Sequence, residues 1–318
     1  MDTWTSSLLN AFLWTTRWAR SSGRPCLAYA VDAGGLSPSN QLKVRRHASK
    51  TDLIITRTAA AAERLRSWGV KAPIEVTADV AFDFALDKRG TDLLEGWTEG
   101  RPLFGLAAVD FYLWPVVARP FGKKEDLYRW LYYFSRSPER DRGREELASR
   151  LAALADEAVE KRGMAVALVC MEQLDEPLAR TVLEKMRNPR LARVFSSREH
   201  NAYQLASLLR HLDALVTSRY HAAVLSLAAP VPMVALGHDR RLQDLFRELG
   251  IEDRFFLPAT GGLDWEAVSA KVDLLIEDRA RIVETLRGGF GRHMERNAAN
   301  RTLLRRFLQE RGWEVSDE

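Results

Sequence analysis

Short apolar runs alternate with amphipathic stretches along most of this chain, and that alternation predicts its elements. Cys26–Val31, Asp52–Thr56 and Ile74–Thr77 have the length and flanking turn signals of strands. A basic helix over Gln41–Ser49 and an alanine-rich helix ending near Trp68-Gly69 separate them. Farther on, Pro102–Val109, Met164–Cys170, Ala192–Phe195, Leu212–Val216 and Val231–Leu236 read as fully buried parallel strands. Helices over Arg144–Arg162, Pro177–Met186 and Asn201–Arg210 fall between them, the last behind a Ser196-Ser197 cap. Leu212–Val216 leads into a short apolar helix capped by Thr217 or Ser218, and beyond Phe256 the chain reads as helical to its end. Strand–helix alternation of this kind defines an α/β fold with open parallel sheets.

Two stretches depart from the pattern. Asp110–Pro138 holds many aromatics, among them Phe111, Tyr112, Trp114, Phe121 and Tyr128, mixed with bases and without a clean period. It reads either as a platform or lid over a ligand or as a compact loop packed on its own rings. At the N-terminus, Trp4, Leu8, Phe12 and Trp18 recur at roughly helical spacing with Arg17 and Arg20 behind them. A helix turning these rings into the core is expected; an interfacial membrane helix is the alternative.

The 318 residues suffice for two domains. The polar, glycine-bearing stretch Asp87–Arg101 places the junction. The expected domains are residues 1–100, residues 101–290, and a C-terminal helix over 291–318 that packs back on the first domain. A doubly wound domain normally opens with a strand and a glycine-bearing turn. Here the pattern opens with a helix, so the first domain is expected to be shortened at its start.

Hydrophobic residues make up 46% and charged residues 28%, the balance of a globular protein. Net charge is +4 and the pI about 9.1, a mild excess that suits anionic substrates or a membrane surface and does not argue for nucleic acid. The basic tail (Arg279, Arg281, Arg287, Arg292, Arg296, Arg301, Arg305, Arg306) reads as a solvated face, with anionic lipid as the sharper account. Cys26 and Cys170 fall in predicted strands and suit a reducing cytoplasm. No stretch approaches the ~18 apolar residues of a spanning helix, and the N-terminus lacks the marks of a secretory signal.

Candidate chemistry gathers where the strands end, because an open parallel sheet binds ligands outside their carboxyl ends. Glu172, Asp175, Glu199, His200, Arg219, His221, His238 and Arg241 all follow predicted strands. Two arginines and two histidines near helix starts suit an anion. Gly34 and Gly35 sit in the loop after Cys26–Val31, where glycine permits a positive φ or close approach to a ligand; G-x-G-x-x-G spacing is absent. Asp79 and Asp239 read equally as helix caps, and Glu172 and Asp175 as caps or as acceptor-binding carboxylates. The histidines lack metal-ligand spacing, so no metal is expected.

The chain resembles the polysaccharide pyruvyl transferases. The specific block is Ser218-Arg219-Tyr220-His221, the apolar helix Ala222–Ala229, the strand Val231–Leu236, Asp239 with Arg241, and Leu249-Gly250. Upstream, Gly34-Gly35-Leu36, Thr56-Arg57, Thr77-Ala78-Asp79-Val80-Ala81-Phe82 and Asn201-Ala202-Tyr203 also match family positions. The resemblance implies a GT-B-like pair of Rossmann-type domains with the active site in the cleft between them. It implies transfer of pyruvate from phosphoenolpyruvate onto two hydroxyls of a sugar as a cyclic ketal, with no further cofactor. Arg219 would hold the donor's anionic groups and His221 would move the proton. Arg241, His238, Asp239, Arg57, Asp79, Gly34, Gly35, Ser218, Glu172 and Asn201 would bind substrate. The acceptor would be a sugar or a lipid-linked glycan, met in the cytoplasm or at the inner face of the membrane.

Two departures stand out. The family's opening strand and Gly/Asn-rich loop have no counterpart after Met1. The strand opening the second domain often ends in arginine, whereas Gly105-Leu106-Ala107-Ala108-Val109-Asp110 has none; Arg119, Lys123 or Lys124 are the candidate substitutes. A glycosyltransferase using a nucleotide-sugar, or a non-catalytic homologue that binds glycan, would fit the same architecture.

Overall fold

The computed structural model describes residues 7–86, 93, 96–113, 116–129, 131–237, 239–259 and 262–315. The chain divides into two compact units, residues 1–83 with 291–318 and residues 84–290.

In the first unit, α1 (Ser7–Ser21) leads to β1 (Leu27–Val31), α2 (Pro38–Ala48) to β2 (Leu53–Thr56), and α3 (Ala59–Ser67) to β3 (Ile74–Val76). The three strands form a parallel sheet in the order β1-β2-β3. Ala61 and Ala62 are fully buried, so small side chains let α3 lie close on the sheet. Thr58 starts that helix by accepting from the Ala61 amide at 3.1 Å. Leu13, Val44, Ile54, Ala61, Leu65 and Val70 make the core.

The orientation of α1 reverses the expectation. It buries Leu13, Thr16 and Ala19, whereas Phe12, Trp14 and Trp18 stand 66%, 60% and 58% exposed. The smaller side chains permit close helix packing, and the aromatics are left outside. Trp4 lies outside the described residues, as does the Leu8 side chain.

The second unit opens with β4 (Leu103–Ala107), whose five residues are buried. Then, where a platform or a compact loop was expected, come β5 (Val116–Ala118), β6 (Leu127–Arg129) and β7 (Tyr132–Phe134), a small antiparallel sheet in the order β5-β7-β6. The chain continues through α4 (Pro138–Glu160), β8 (Ala165–Cys170), α5 (Glu176–Lys185), β9 (Ala192–Ser196) and α6 (Ala202–Arg210). It then runs through β10 (Ala214–Thr217), α7 (Tyr220–Ser226), β11 (Met233–Gly237), α8 (Arg240–Leu249) and α9 (Glu252–Phe255). Beyond Phe256, where helix was expected, the chain first completes a further strand, β12 (Phe256–Pro258), before α10 (Trp265–Glu277) and α11 (Arg279–Gln309).

The six-stranded sheet runs β12-β11-β10-β4-β8-β9, with every pairing parallel. This is the doubly wound order, and its direction reverses between β4 and β10. Gly237 lets the Phe256 ring pack directly over β11, since a Cβ there would stand 1.9 Å from a ring carbon. Gly250, at φ 75°, ends α8 in the left-handed conformation that favours glycine.

The boundary between the units falls within α11, whose later turns complete the first unit. Asn300 accepts from the Thr77 hydroxyl at 2.7 Å and donates to the Ala78 carbonyl at 2.9 Å. The His293 ring stacks on Phe82, centroids 4.4 Å apart. Burial, then the cations Arg296 and Arg292, push the His293 pKa down to about 3. No helix among the described residues is long and apolar enough to cross a membrane.

Candidate functional site

The loops that follow β4, β8 and β10 meet at the switch point of the second unit, where an open parallel sheet places its ligand crevice. The β4 and β10 loops are joined by the buried Ser218 hydroxyl, which accepts from the Val109 amide at 2.7 Å. The Thr217 hydroxyl accepts from the Arg219 amide at 2.9 Å. Both side chains, expected as caps of α7, instead fix the loop ahead of it. Arg219 occupies the position before the helix and makes no side-chain cap.

The Arg219 guanidinium is aimed across β4 at the loop after β8. Its Nε donates to both Asp175 oxygens, at 3.1 and 2.9 Å, and its Nη2 also donates to Asp175. Its Nη1 lies 3.1 Å from Glu172 Oε1. The two carboxylates differ sharply in setting: the Asp175 side chain is 2% exposed and that of Glu172 59%. Burial pushes the Asp175 carboxyl above its ordinary value, and the Arg219 cation opposes that. Asp175 also accepts from the Glu172 amide at 3.0 Å, so it orders the turn as well as the arginine.

An arginine does stand at the end of β4, and it comes from α4. Arg144 Nε donates to Asp110, whose carboxylate is 1% exposed. Arg119, Lys123 and Lys124, the substitutes considered from the sequence, lie exposed in the segment that carries the small antiparallel sheet. The Asp110–Arg144 pair was not anticipated, and the aspartate directly after an apolar strand was the available signal.

His221 stands in the first turn of α7, exposed, with its ring edge-on to buried Tyr220 at 5.2 Å. Arg241 pairs with Asp239, Nε to Oδ2 at 2.8 Å, and lies 5.5 Å from the centre of the same Tyr220 ring. Asp239 also caps α8 by accepting from the Arg241 amide at 2.9 Å. His238 lies outside the described residues. Asn201 begins α6 with a reciprocal cap, its side chain accepting from the Gln204 amide at 3.0 Å. Ser196, expected to share that role with Ser197, instead donates its hydroxyl to Glu176 at 2.7 Å. His200 packs against Phe195, and Glu199 lies 3.5 Å from Arg180. Burial pushes the Cys170 thiol, at the end of β8, up to about 12.

The first unit presents its own set at the carboxyl ends of its three strands. Asp32 follows β1, Arg57 follows β2 and Asp79 lies just past β3. Arg57 donates to Asp79 at 2.6 Å and to Asp32 at 3.2 Å. Arg64 donates to the Ala33 carbonyl and lies 3.6 Å from Asp32. Asp79 also accepts from the Ala81 amide at 2.9 Å, so it caps the following 3-10 turn as well. Gly34 and Gly35 are exposed in the loop beyond Asp32. Gly34 does not adopt a left-handed φ, and a side chain there would meet open space. Among the described residues no group of three His, Cys, Asp or Glu is placed to hold a metal ion.

The fold is of the GT-B type. It superposes on a putative UDP-N-acetylglucosamine 2-epimerase from Listeria monocytogenes with a TM-score of 0.57 at 16% identity, over 91% of this chain and 69% of that one. The UDP-GlcNAc 2-epimerase from Neisseria meningitidis, bound to UDP-GlcNAc, gives 0.58 at 10% identity, over 92% and 73%. A UDP-forming trehalose-phosphate synthase from Burkholderia xenovorans gives 0.50 at 12%, over 91% and 68%. At these identities the likeness shows the fold alone. Comparison with curated proteins gives no match. The model of the polysaccharide pyruvyl transferase family matches residues 2–240, and the chain belongs to that family.

Proposed function

We propose that the protein transfers pyruvate from phosphoenolpyruvate onto two hydroxyls of a sugar, in a cell-envelope polysaccharide or its lipid-linked precursor at the inner face of the membrane. The observation that carries the reading is Arg219 at the switch-point crevice, locked by buried Asp175 on one side and paired with exposed Glu172 on the other. A fixed guanidinium with one exchangeable partner suits a donor that brings both a phosphate and a carboxylate. The incoming anion displaces Glu172 from Nη1, while Asp175 keeps the fork oriented.

The reaction forms two C–O bonds at C2 of the enol and breaks the C2–O bond to phosphate. One hydroxyl proton ends on the methylene carbon, which becomes a methyl group, and the other leaves with inorganic phosphate. His221, exposed and two residues from Arg219, is assigned to moving the proton, since imidazole titrates near neutrality. Arg241 is assigned to the phosphate. Ser218, Asp239, His238, Asn201 and, once displaced from Arg219, Glu172 complete the second unit's share of substrate binding; Gly34 and Gly35 supply the first unit's, positioned by Arg57 and Asp79. Phosphoenolpyruvate is a substrate here, and the assignment uses no other cofactor.

Thermal unfolding of wild type and Arg219→Lys with phosphoenolpyruvate, with UDP-sugars and in buffer tests this. The lysine keeps a charge opposite Asp175 and removes the fork. At a hundredfold excess over Kd a ligand stabilises the native state by about 2.7 kcal/mol. A rise in Tm with phosphoenolpyruvate that the variant loses is expected. A rise with UDP-sugars alone would replace the reading with a nucleotide-sugar enzyme such as a glycosyltransferase. No rise with either would favour a glycan-binding homologue without activity.

A further inference from the structure

The first two helices carry a surface that the crevice chemistry does not use. On α1, exposed Trp14 and Trp18 lie one turn apart, with exposed Phe12 farther round the helix. Leu42, on the adjoining α2, is 61% exposed. Neither helix contains an acidic residue. The same two helices carry the cations Arg17, Arg20, Lys43, Arg45 and Arg46. Between Ser7 and Thr51 only Asp32 is acidic, and its carboxylate is engaged by Arg57 and Arg64. The cations of the two helices share one field. His47 on α2 is held below its ordinary pKa first by burial, then by Arg17 from α1 and by Arg46 and Lys50.

Exposed tryptophan beside arginine and lysine, with no acids, matches the headgroup region of an anionic bilayer. There the rings reach the acyl boundary and the cations meet lipid phosphates. A protein partner would account for the rings alone. The acid-free charge over both helices selects the lipid.

We propose that α1 and α2 dock this unit onto membranes rich in anionic phospholipid, with Trp14 and Trp18 inserted at the interface. The docking surface is separate from the residues assigned to the donor. Its purpose rests on the proposed function, because it would hold the enzyme where a lipid-linked acceptor lies.

The test is cosedimentation of the full chain with vesicles of phosphatidylcholine alone or with one third phosphatidylglycerol. Binding to the mixed vesicles, weak binding to the neutral ones and release at high salt are expected. The double substitution Trp14→Ser/Trp18→Ser should abolish binding. The triple substitution Arg17→Gln/Arg45→Gln/Arg46→Gln should weaken it about fivefold per cation removed. All five side chains point outward, and an unchanged melting curve would show that the fold is kept. Equal, salt-insensitive binding to both vesicles would overturn the proposal, as would variants that bind like wild type. A change of solution mass in the tryptophan variant would instead assign the face to self-association. The phosphoenolpyruvate-induced melting shift should survive in both variants, so failure of docking and failure of donor binding are separable.

Discussion

Both units set an arginine just past a parallel strand and flank it with two carboxylates, but they do so to different depth. In the first unit Arg57, Asp32 and Asp79 have side chains 13%, 10% and 5% exposed. In the second, Arg219 and Asp175 are similarly enclosed, whereas Glu172 reaches into solvent. Burying charge is unfavourable unless partners compensate, and an enclosed set resists exchange with any incoming anion. The first arrangement therefore reads as a brace across three strand ends. The second has the same brace with one side left exchangeable, which is the property a binding site needs.

The largest expected effect separates the two by activity. Arg219→Lys should lower kcat/KM for pyruvyl transfer by about 100- to 1,000-fold, the usual effect of removing one well-placed donor. Phosphate release from phosphoenolpyruvate would measure it, and a loss below tenfold would remove Arg219 from the donor site. Next, Arg57→Ala strands the nearly buried Asp79 and leaves Asp32 to Arg64 alone, and should cost about 3–5 kcal/mol of stability. Urea unfolding reads this; a cost below about 1 kcal/mol would show that the first unit's set is no brace.

A third prediction concerns pH. A histidine with a depressed folded pKa binds its proton in the unfolded chain before the native one. His293 therefore contributes stability that is present above its unfolded pKa of about 6.5 and lost as pH falls toward about 3. His293→Phe, which keeps the stack on Phe82, should flatten the stability profile between those values. Parallel profiles for the two proteins would refute it. The smallest effect is at the exchangeable carboxylate. Glu172→Gln should lower the KM for phosphoenolpyruvate by about two- to fivefold, as expected for removing an exposed ion-pair competitor. An unchanged KM would mean that Glu172 does not compete with the donor.

Much of the fold was legible because buried parallel strands such as Met233–Gly237 are short apolar runs between turn signals. The antiparallel sheet at 116–134 was not, since three-residue strands with a register shift between Leu127 and Arg129 give no measurable period. Orientation failed on α1, where large rings were expected inside and Leu13, Thr16 and Ala19 took that place. The candidate residues themselves could be read from the strand ends. Their pairing could not, because Arg219 meets Asp175 only once β10, β4 and β8 lie side by side in that order. Capping roles were legible for Asp239, where the side chain precedes its helix directly, and misplaced at Ser196, which the chain uses to bind Glu176.

The return of α11 to the first unit also orders events during synthesis. Thr77, Ala78 and Phe82 are made early, yet Asn300 and His293, which complete their surroundings, emerge only after residues 84–290 have been translated. At about 5–20 residues per second the interval is roughly 10–40 s. The second unit, contiguous in the chain, can begin to fold as its own strands emerge in that time. The first unit waits unfinished until the final turns of α11 leave the exit tunnel.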